Sequence, residues 1–529
     1  MTMKVLITDG LAKEGLQILT DPGLLKIDNL SGLTKEKLLE IIPEYQALIV
    51  RSATKVDPAV IEKARELKVI GRAGTGVDNI DLDAATKRGI LVMNSPGGNM
   101  ITTAELSIAM LLSLARSIPQ ATASMREGKW DKKSFLGTEV RGKTLGVIGV
   151  GRIGGAVAEM AQGMGMRVIA NDPYLTPEVA RKKKVESVDL PTLYKNSHFI
   201  TIHTPVTDST KGLVGREAFA QMRDGVYIIN CARGEIMDEE ALQEALNSGK
   251  VAGAALDVFH VEPLPADHPF RKNPKIIITP HLGASTAEAQ TKVSVDIAQQ
   301  VADYLIRGII RGAVNLPSVS ADVLEQLRPY LLLSERLGKL LSQLYRGQVS
   351  EISLEYRGEV ANFQTEPLTI AAIKGVLDPI LEEKVNYVNA PVIAEERGIK
   401  ISESQSPSPG DYSSMIILKV KVGDVFHQAS GALFGKNDPR IVRINGFSLE
   451  AVPEGHILVL ENRDEPGVIG NIGTLLGQRQ VNIARMQLGR EEAKGKAIAL
   501  LHLDQKVSEE ILGQLRRLPN IINAIAVEL

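Results

Sequence analysis

The sequence predicts an α/β chain of several domains, and three observations carry that reading. At about 150 residues per domain, 529 residues suit three or four units rather than one. Over the first half, short runs rich in Val and Ile alternate with helical stretches, the pattern of parallel βα units. Hydrophobic residues make up 44% of the chain but aromatics only 4%, so the cores must be built largely from Ala, Val, Ile and Leu in clearly periodic segments.

Taken in order, residues 4–8, 46–51, 67–72 and 90–94 read as the first strands. A helix from Thr103 to about Arg116 is apolar on most faces, as expected of a segment buried between two packed bodies. A second βα series follows at 145–149, 167–171, 199–203, 226–230, 252–256 and 276–279, six strands for one sheet. Val293, Ile297, Val301, Tyr304 and Leu305 share one face of a helix that ends near Gly308, and Pro317 breaks the pattern, which places a boundary near residue 316. Residues 317–452 mix helix and strand, hold a polar, Pro-punctuated loop at 404–410 and carry no catalytic signature. The last segment reads strand 456–461, helix 466–478, strands 481–489 and 496–503, helix 508–517, strand 521–528, a ferredoxin-like βαββαβ order.

With 61 basic and 63 acidic residues, the chain has no global field favouring nucleic acid or an anionic membrane, so any anion site is local. Cys231 is the one cysteine and Cys/His metal spacings are absent, which suits a reducing compartment and predicts no metal. Met1 to Gly10 reads as a buried strand and turn rather than a leader, and no charge-free stretch approaches the roughly 18 residues of a membrane span. A cytoplasmic location is expected.

Gly149, Gly151 and Gly154 form a GxGxxG run between the strand Leu145–Ile148 and a helix that ends near Met164. Such glycines allow a tight turn and close approach of a pyrophosphate to the helix N-terminus, as in a Rossmann-type nucleotide domain. Asp172 ends the next strand, where its carboxylate can take an adenosine ribose diol and repel a 2′-phosphate, which predicts NAD. The basic run Arg181 to Lys184 reads as a solvated helix face, with 2′-phosphate binding as the alternative.

Ligands of an open parallel sheet bind beyond the carboxyl ends of its strands, and Arg233, Asp257, Glu262 and His281 all fall there. A guanidinium can grip a carboxylate, an imidazole can exchange a proton, and a glutamate beside it can orient it and raise its basicity, a set suited to oxidising a 2-hydroxy acid. Bland alternatives stand beside these. Arg233 could cap a helix or pair with Asp257, His203 rivals His281, and Cys231 is a buried thiol rather than a nucleophile, since no base is evident beside it. Gly283 near His281, and the reach of Glu262, favour His281. Trp130, Lys132 and Lys133 form either a solvated loop or a phosphate contact. In the first domain, backbone N–H groups near Gly74 and Gly76 could hold a carboxylate, and Arg51 and Arg72 a second anionic group, or both loops could be ordinary turns.

These motifs resemble the D-2-hydroxyacid dehydrogenases, specifically the long branch that acts on 3-phosphoglycerate. The runs that carry the likeness are Arg51–Val56, Gly71–Asn79, Gly149–Gly154, Asn230–Gly234, Ala255–Phe259 with Glu262-Pro263, and Pro280–Ser285. The resemblance implies a flavodoxin-like substrate domain of residues 1–98 and 286–316, a nucleotide domain of 99–285, an α+β intervening domain of 317–452 and an ACT regulatory domain of 453–529. It implies that Arg233 grips the substrate carboxylate, Glu262 supports the imidazole and His281 is the acid–base group. Implied cofactor contacts are Thr75, Arg152, Ile153, Asp172, Thr204, Cys231, Ala232, Asp257 and Ala284, with Arg233 and His281 beside them. Arg51, Arg72 and Lys132 stand at the family's phosphate contacts. In the ACT segment, Asp464 and Asn482 match a ligand-binding turn and strand start, while Asn462 stands where an aromatic residue is expected. L-serine as effector and a homotetramer follow from the same likeness. The competing readings are a dehydrogenase for another 2-hydroxy acid, such as 2-hydroxyglutarate, and a dinucleotide-sensing, corepressor-like binding protein.

Overall fold

The computed structural model describes residues 2–21, 23–317, 321–382, 384–408, 410–435, 437–490 and 495–529. Among them the strands form four sheets. The first is parallel, ordered β2-β1-β3-β4-β5, from β1 (Met3–Ile7), β2 (Leu25–Asn29), β3 (Ala47–Val50), β4 (Val69–Arg72) and β5 (Leu91–Asn94). All four residues of β3 are buried, as in a parallel strand covered on both faces. The helix Ala287–Arg307 returns to cover this sheet, packing Val293, Ile297 and Val301 with Val5, Ile7 and Met93. A Cβ on Gly71 would lie 2.9 Å from both Ile297 and Val301, so the glycine lets that helix close on β4.

The second sheet is also parallel, ordered β12-β11-β10-β9-β6-β7-β8. Its strands are β6 (Thr144–Ile148), β7 (Arg167–Asn171), β8 (Glu186–Ser187), β9 (Phe199–Ile202), β10 (Val226–Asn230), β11 (Val251–Leu256) and β12 (Ile276–Ile278). Seven strands stand where six are expected, because the two exposed residues of β8 are too few to show a period. β2 is likewise absent from the sequence reading: it is a short edge strand carrying Lys26 and Asp28. The helix Met100–Ala115 begins three residues earlier than expected and packs Ala104, Met110 and Leu111 against Leu145, Val147 and Ala255.

Beyond residue 320 the third sheet is mixed, ordered β14-β13-β15-β16-β17-β18. It comprises β13 (Val349–Gly358), β14 (Lys400–Ser406), β15 (Ser414–Val422), β16 (Val425–Phe434), β17 (Asp438–Ile444) and β18 (Phe447–Ala451). Residues 404–406, expected in a loop, belong to β14 and pair in parallel with Glu355–Arg357. β14 is a mostly exposed polar edge, which hides it from a hydrophobicity pattern. The helices Ala321–Leu344 and Glu366–Leu377 supply the core partners of this sheet.

The fourth sheet is antiparallel, β20-β21-β19-β22, from β19 (His456–Arg463), β20 (Ile483–Arg490), β21 (Lys496–Leu503) and β22 (Ile521–Glu528). Leu458 and Leu460 face its own helices with Ile472, Leu476 and Leu515. Ile457, Val459, Ile498, Leu500 and Val527 share a core with Leu337, Leu341, Ile416 and Leu418 of the third sheet and its long helix. The amide of Gln343 binds both backbone groups of Glu528 at 3.0 Å, tying the β22 edge to that helix. A Cβ on Gly489 of β20 would lie 2.6 Å from the Ser448 carbonyl, so β18 abuts the opposite edge. Among the described residues no single helix is long and apolar enough to cross a membrane.

Candidate active site

The fingerprint turn joins β6 to the helix Arg152–Gly163. Gly149 has φ 89°, and a Cβ there would lie 2.7 Å from the His203 carbonyl, while one on Gly154 would overlap the Gly149 carbonyl. Gly151 faces open space, and no side chain caps the helix, which leaves its N-terminal N–H groups for an anion. Asp172 accepts the Val150 N–H at 2.8 Å through one oxygen and the Tyr174 N–H at 2.8 Å through the other, so its carboxylate is fixed against the turn. Arg181 and Lys182 end the helix Pro177–Lys182 and are exposed to solvent.

Beyond β10, fully buried Asn230 shapes the turn that presents Arg233: its Nδ2 donates to the Arg233 carbonyl at 2.9 Å and its Oδ1 accepts the Ala232 N–H at 3.0 Å. Arg233 pairs with Asp78, not with Asp257, and although it stands at the N-cap of the 3-10 turn Gly234–Ile236, its side chain makes no capping bond there. Asp257 serves the next turn. Its carboxylate accepts Thr279 Oγ1 at 2.6 Å, the Leu282 N–H at 2.8 Å and the Gly283 N–H at 2.9 Å, and its carbonyl accepts the His281 N–H at 3.0 Å. Burial raises the Asp257 carboxyl above its ordinary range. These bonds hold His281 at φ 54°, a left-handed conformation that costs a non-glycine residue about 1–3 kcal/mol.

His281 Nδ1 and Glu262 Oε2 lie 2.7 Å apart, and Glu262 Oε1 accepts the Phe259 N–H at 3.0 Å. The hydrogen bond to Glu262 raises the imidazole above its usual value, against the opposing effect of burial. Burial alone would raise the Glu262 carboxyl, but the His281 bond and charge outweigh it and hold the group low. His281 lines the cleft with Nε2 left for a ligand. His203 differs: its Nε2 is 2.8 Å from Thr201 Oγ1, and burial lowers it to about 4, so it stays neutral. Burial likewise pushes the Cys231 thiol up to about 12.

Across the cleft, the Asp9 carboxylate accepts the Arg51 and Thr54 N–H groups at 2.7 and 3.1 Å, and Asn79 Nδ2 donates to both of their carbonyls, setting the loop after β3. Arg72 ends β4. Its Nε is buried without a hydrogen-bond partner among the described residues, and burial, then the nearby Arg233 charge, lower its pKa to about 10, which still leaves it charged at neutral pH. A Cβ on Gly74, at φ 151°, would overlap the Arg72 guanidinium. Thr75 Oγ1 donates to Asn99 Oδ1 at 2.5 Å, and Asn94 Nδ2 to the Thr75 carbonyl at 2.5 Å.

A cleft of about 970 Å3 is lined by Arg72, Thr75, Ile153, Thr204, Cys231, Ala232, Arg233, His281 and Ala284 among the expected residues. Gly149, Gly151, Gly154, Arg152 and Asp172 lie at the fingerprint turn, Asp257 and Glu262 brace His281, and Arg51 stands near enough to Arg72 to repel it. Lys132 is not brought to this cleft: it sits on an exposed segment beside Trp130, which is 75% exposed. In the last sheet, Arg490 Nη1 lies 3.3 Å from Asp464, and Asn482 donates to Asp504 at 2.7 Å. Asn462 is buried, and its Oδ1 has no partner among the described residues. Of that sheet's two edges, β22 is bonded to Gln343 at Glu528 and β20 meets β18 at Gly489. Asp78, Asp9, Asn230 and Asn99 are site residues that the sequence reading did not single out. Asp78 and Asn230 lie inside the runs Gly71–Asn79 and Asn230–Gly234 that carry the family likeness, whereas Asp9 and Asn99 lie in none of those runs.

A nucleotide turn, a histidine–glutamate pair and an arginine at one sheet edge define an NAD-dependent oxidoreductase of 2-hydroxy acids. Residues 108–283 match the D-isomer specific 2-hydroxyacid dehydrogenase NAD-binding domain, 326–445 the D-3-phosphoglycerate dehydrogenase intervening domain and 456–520 the ACT domain. The chain is 45% identical over 527 residues to the D-3-phosphoglycerate dehydrogenase of Synechocystis, covering 99% of this chain and 95% of that protein. It is 41% identical to the Bacillus subtilis enzyme of the same name, with 99% of each covered. An NAD+-bound 3-phosphoglycerate dehydrogenase from Entamoeba histolytica superposes with TM-score 0.51 at 30% identity, over 60% of this chain and 100% of that one. The chain belongs to the D-3-phosphoglycerate dehydrogenase family, in the long form with intervening and ACT domains.

Proposed function

We propose that this chain oxidises 3-phospho-D-glycerate at C2 to 3-phosphohydroxypyruvate with NAD, the first step of L-serine synthesis. The observation that carries this reading is the cleft itself, which sets the His281–Glu262 pair and Arg233 on one wall and, on the other, Arg72, whose buried Nε has no partner among the described residues. Arg233 takes the substrate carboxylate, and Arg72 with Arg51 takes the phosphate. Neutral His281 accepts the C2 hydroxyl proton at Nε2, and Glu262 stabilises the resulting imidazolium through Nδ1. Bound NAD supplies the hydride acceptor. The turn at Gly149–Gly154 and the uncapped helix hold its pyrophosphate, and Asp172 its adenosine ribose.

Initial rates with NAD on 3-phosphoglycerate, 2-hydroxyglutarate and D-lactate test the reading. The expected order puts the phosphorylated acid first in kcat/KM. Equal values for the unphosphorylated acids would remove the phosphate role of Arg72, and no turnover of any would favour a binding protein.

Regulation extends the same proposal. L-serine binds the ACT segment near Asp464 and Asn482 of a cytoplasmic homotetramer, whose modules pair through a strand edge or a helix face. Calorimetry and rates with serine, for the full chain and for Asp464→Ala with Asn482→Ala, check this. An enzyme uninhibited at millimolar serine, with no heat of binding, would leave the ACT segment a structural role.

A further inference from the structure

Asp78 and Arg233 are 155 residues apart, on opposite walls of the cleft, and form an ion pair across it. Arg233 Nε donates to Asp78 Oδ2 at 2.9 Å, and Nη2 lies 2.9 Å from the same oxygen. Nη1 donates to the Ala232 carbonyl at 2.6 Å. Of the guanidinium's five N–H groups, the side edge and one Nη1 hydrogen are therefore engaged, and the end of the fork between Nη1 and Nη2 is left. The backbone cooperates, since a Cβ on Gly76 would overlap Nη2 and lie 2.7 Å from Asp78 Oδ2. The guanidinium is wedged between that glycine and the carboxylate.

The pair does little for the fold. The Asp78 side chain is 65% exposed, and exposed ion pairs contribute little to stability. Its placement matters for another reason: two cations, Arg72 and Arg233, approach closely enough for Arg233 to lower the Arg72 pKa, and Asp78 is the anion that faces both. When substrate displaces water from the cleft, the local dielectric falls and the same contact strengthens.

We propose that Asp78 is a positioning residue for this reaction: it holds the Nε–Nη2 edge of Arg233 so that the end of the fork meets the substrate carboxylate, and so selects 2-hydroxy acids that present a carboxylate to that end. The inference rests on the oxidoreductase reading above and adds a residue to it. It places the pair in the closed, loaded site as well as in the empty one, with the substrate carboxylate beside Asp78 rather than in its place.

A double-mutant cycle in the full-length enzyme tests it, with KM, kcat and melting temperature measured for Asp78→Ala, Asp78→Asn, Arg233→Ala and the double variant. Asp78→Ala should raise the hydroxy-acid KM about 10-fold or more, the scale of losing a charged hydrogen bond, with a smaller change in kcat. NAD affinity and melting temperature should hold. Asp78→Asn, which keeps an acceptor oxygen, should recover part of the loss. On top of Arg233→Ala, Asp78→Ala should cost nothing further. A lowered KM would mean that Asp78 competes with substrate, and an unchanged KM, a loss that persists without Arg233, or a fall in melting temperature would each overturn the proposal. If wild type turns over another 2-hydroxy acid instead of 3-phosphoglycerate, the cycle is run on that acid. The substrate assignment then fails while the Asp78 role is still decided. An enzyme with no turnover on any of these acids overturns both.

Discussion

The two parallel sheets of the catalytic half keep separate cores and meet at a wide cleft, where the pair between Asp78 and Arg233 spans the walls. Beyond residue 320 the opposite holds: the third and fourth sheets share one continuous core, and Gln343 stitches the last strand to the long helix. The contrast has a physical meaning. Sheets joined through loops can separate and close around a ligand at small cost, whereas sheets joined through a shared core cannot part without exposing apolar surface. The C-terminal half is therefore built to respond as one body. It touches the catalytic half through Asn386, which donates to the Gly89 carbonyl at 2.8 Å, and Val388, which enters the core of the first sheet.

The largest effect expected from breaking the catalytic side is at His281. His281→Ala should lower kcat by a factor of about 10² to 10⁴ while NAD affinity stays near wild type. His203→Ala should leave turnover largely in place, because that ring is neutral and engaged with Thr201. Loss of turnover in the second variant but not the first would reverse the assignment of the base.

On the C-terminal side, a chain ending at residue 452 should behave badly. It would uncover the face of the third sheet and long helix that Ile457, Val459, Ile498, Leu500 and Val527 fill, and burying each such side chain is worth about 1.5–3 kcal/mol. Dye binding to exposed apolar surface and thermal unfolding would show it, as strong binding and an early transition. A truncated chain as stable as the full one would break the comparison, because the fourth sheet would then be a detachable module.

Much of this contrast is legible in the sequence, and unevenly so. The parallel sheets announce themselves through buried Val- and Ile-rich runs such as Val226–Asn230, and the βαββαβ order through its alternation. What escapes is short or polar: β8 has two residues, and β14 spreads Glu403 and Gln405 along an exposed edge. In the site, the His281–Glu262 contact is readable because both residues follow adjacent strands, β12 and β11. Asp78 is not, since pairing with Arg233 depends on how two domains face each other, which no spacing encodes. The shared core is hidden for the same reason: alternating residues on β19 look alike whether the far face meets water or another sheet.

A smaller effect is expected at the cofactor end. Asp172→Asn keeps the acceptor for the Val150 N–H but removes the charge that repels a 2′-phosphate. The preference for NAD over NADP should narrow by about one to two orders of magnitude in kcat/KM. Equal wild-type use of the two cofactors would contradict the role given to Asp172.

The most direct test of the chemistry is the pH–rate profile of wild type and Glu262→Gln in both directions. Oxidation needs a neutral His281, so its rate rises as pH rises through the imidazole pKa, whereas reduction needs the imidazolium and falls through the same value. Glu262 raises that pKa. Removing its charge should move both limbs to lower pH. Limbs that stay in place, or move to higher pH, would contradict the claim that His281, supported by Glu262, handles the substrate proton.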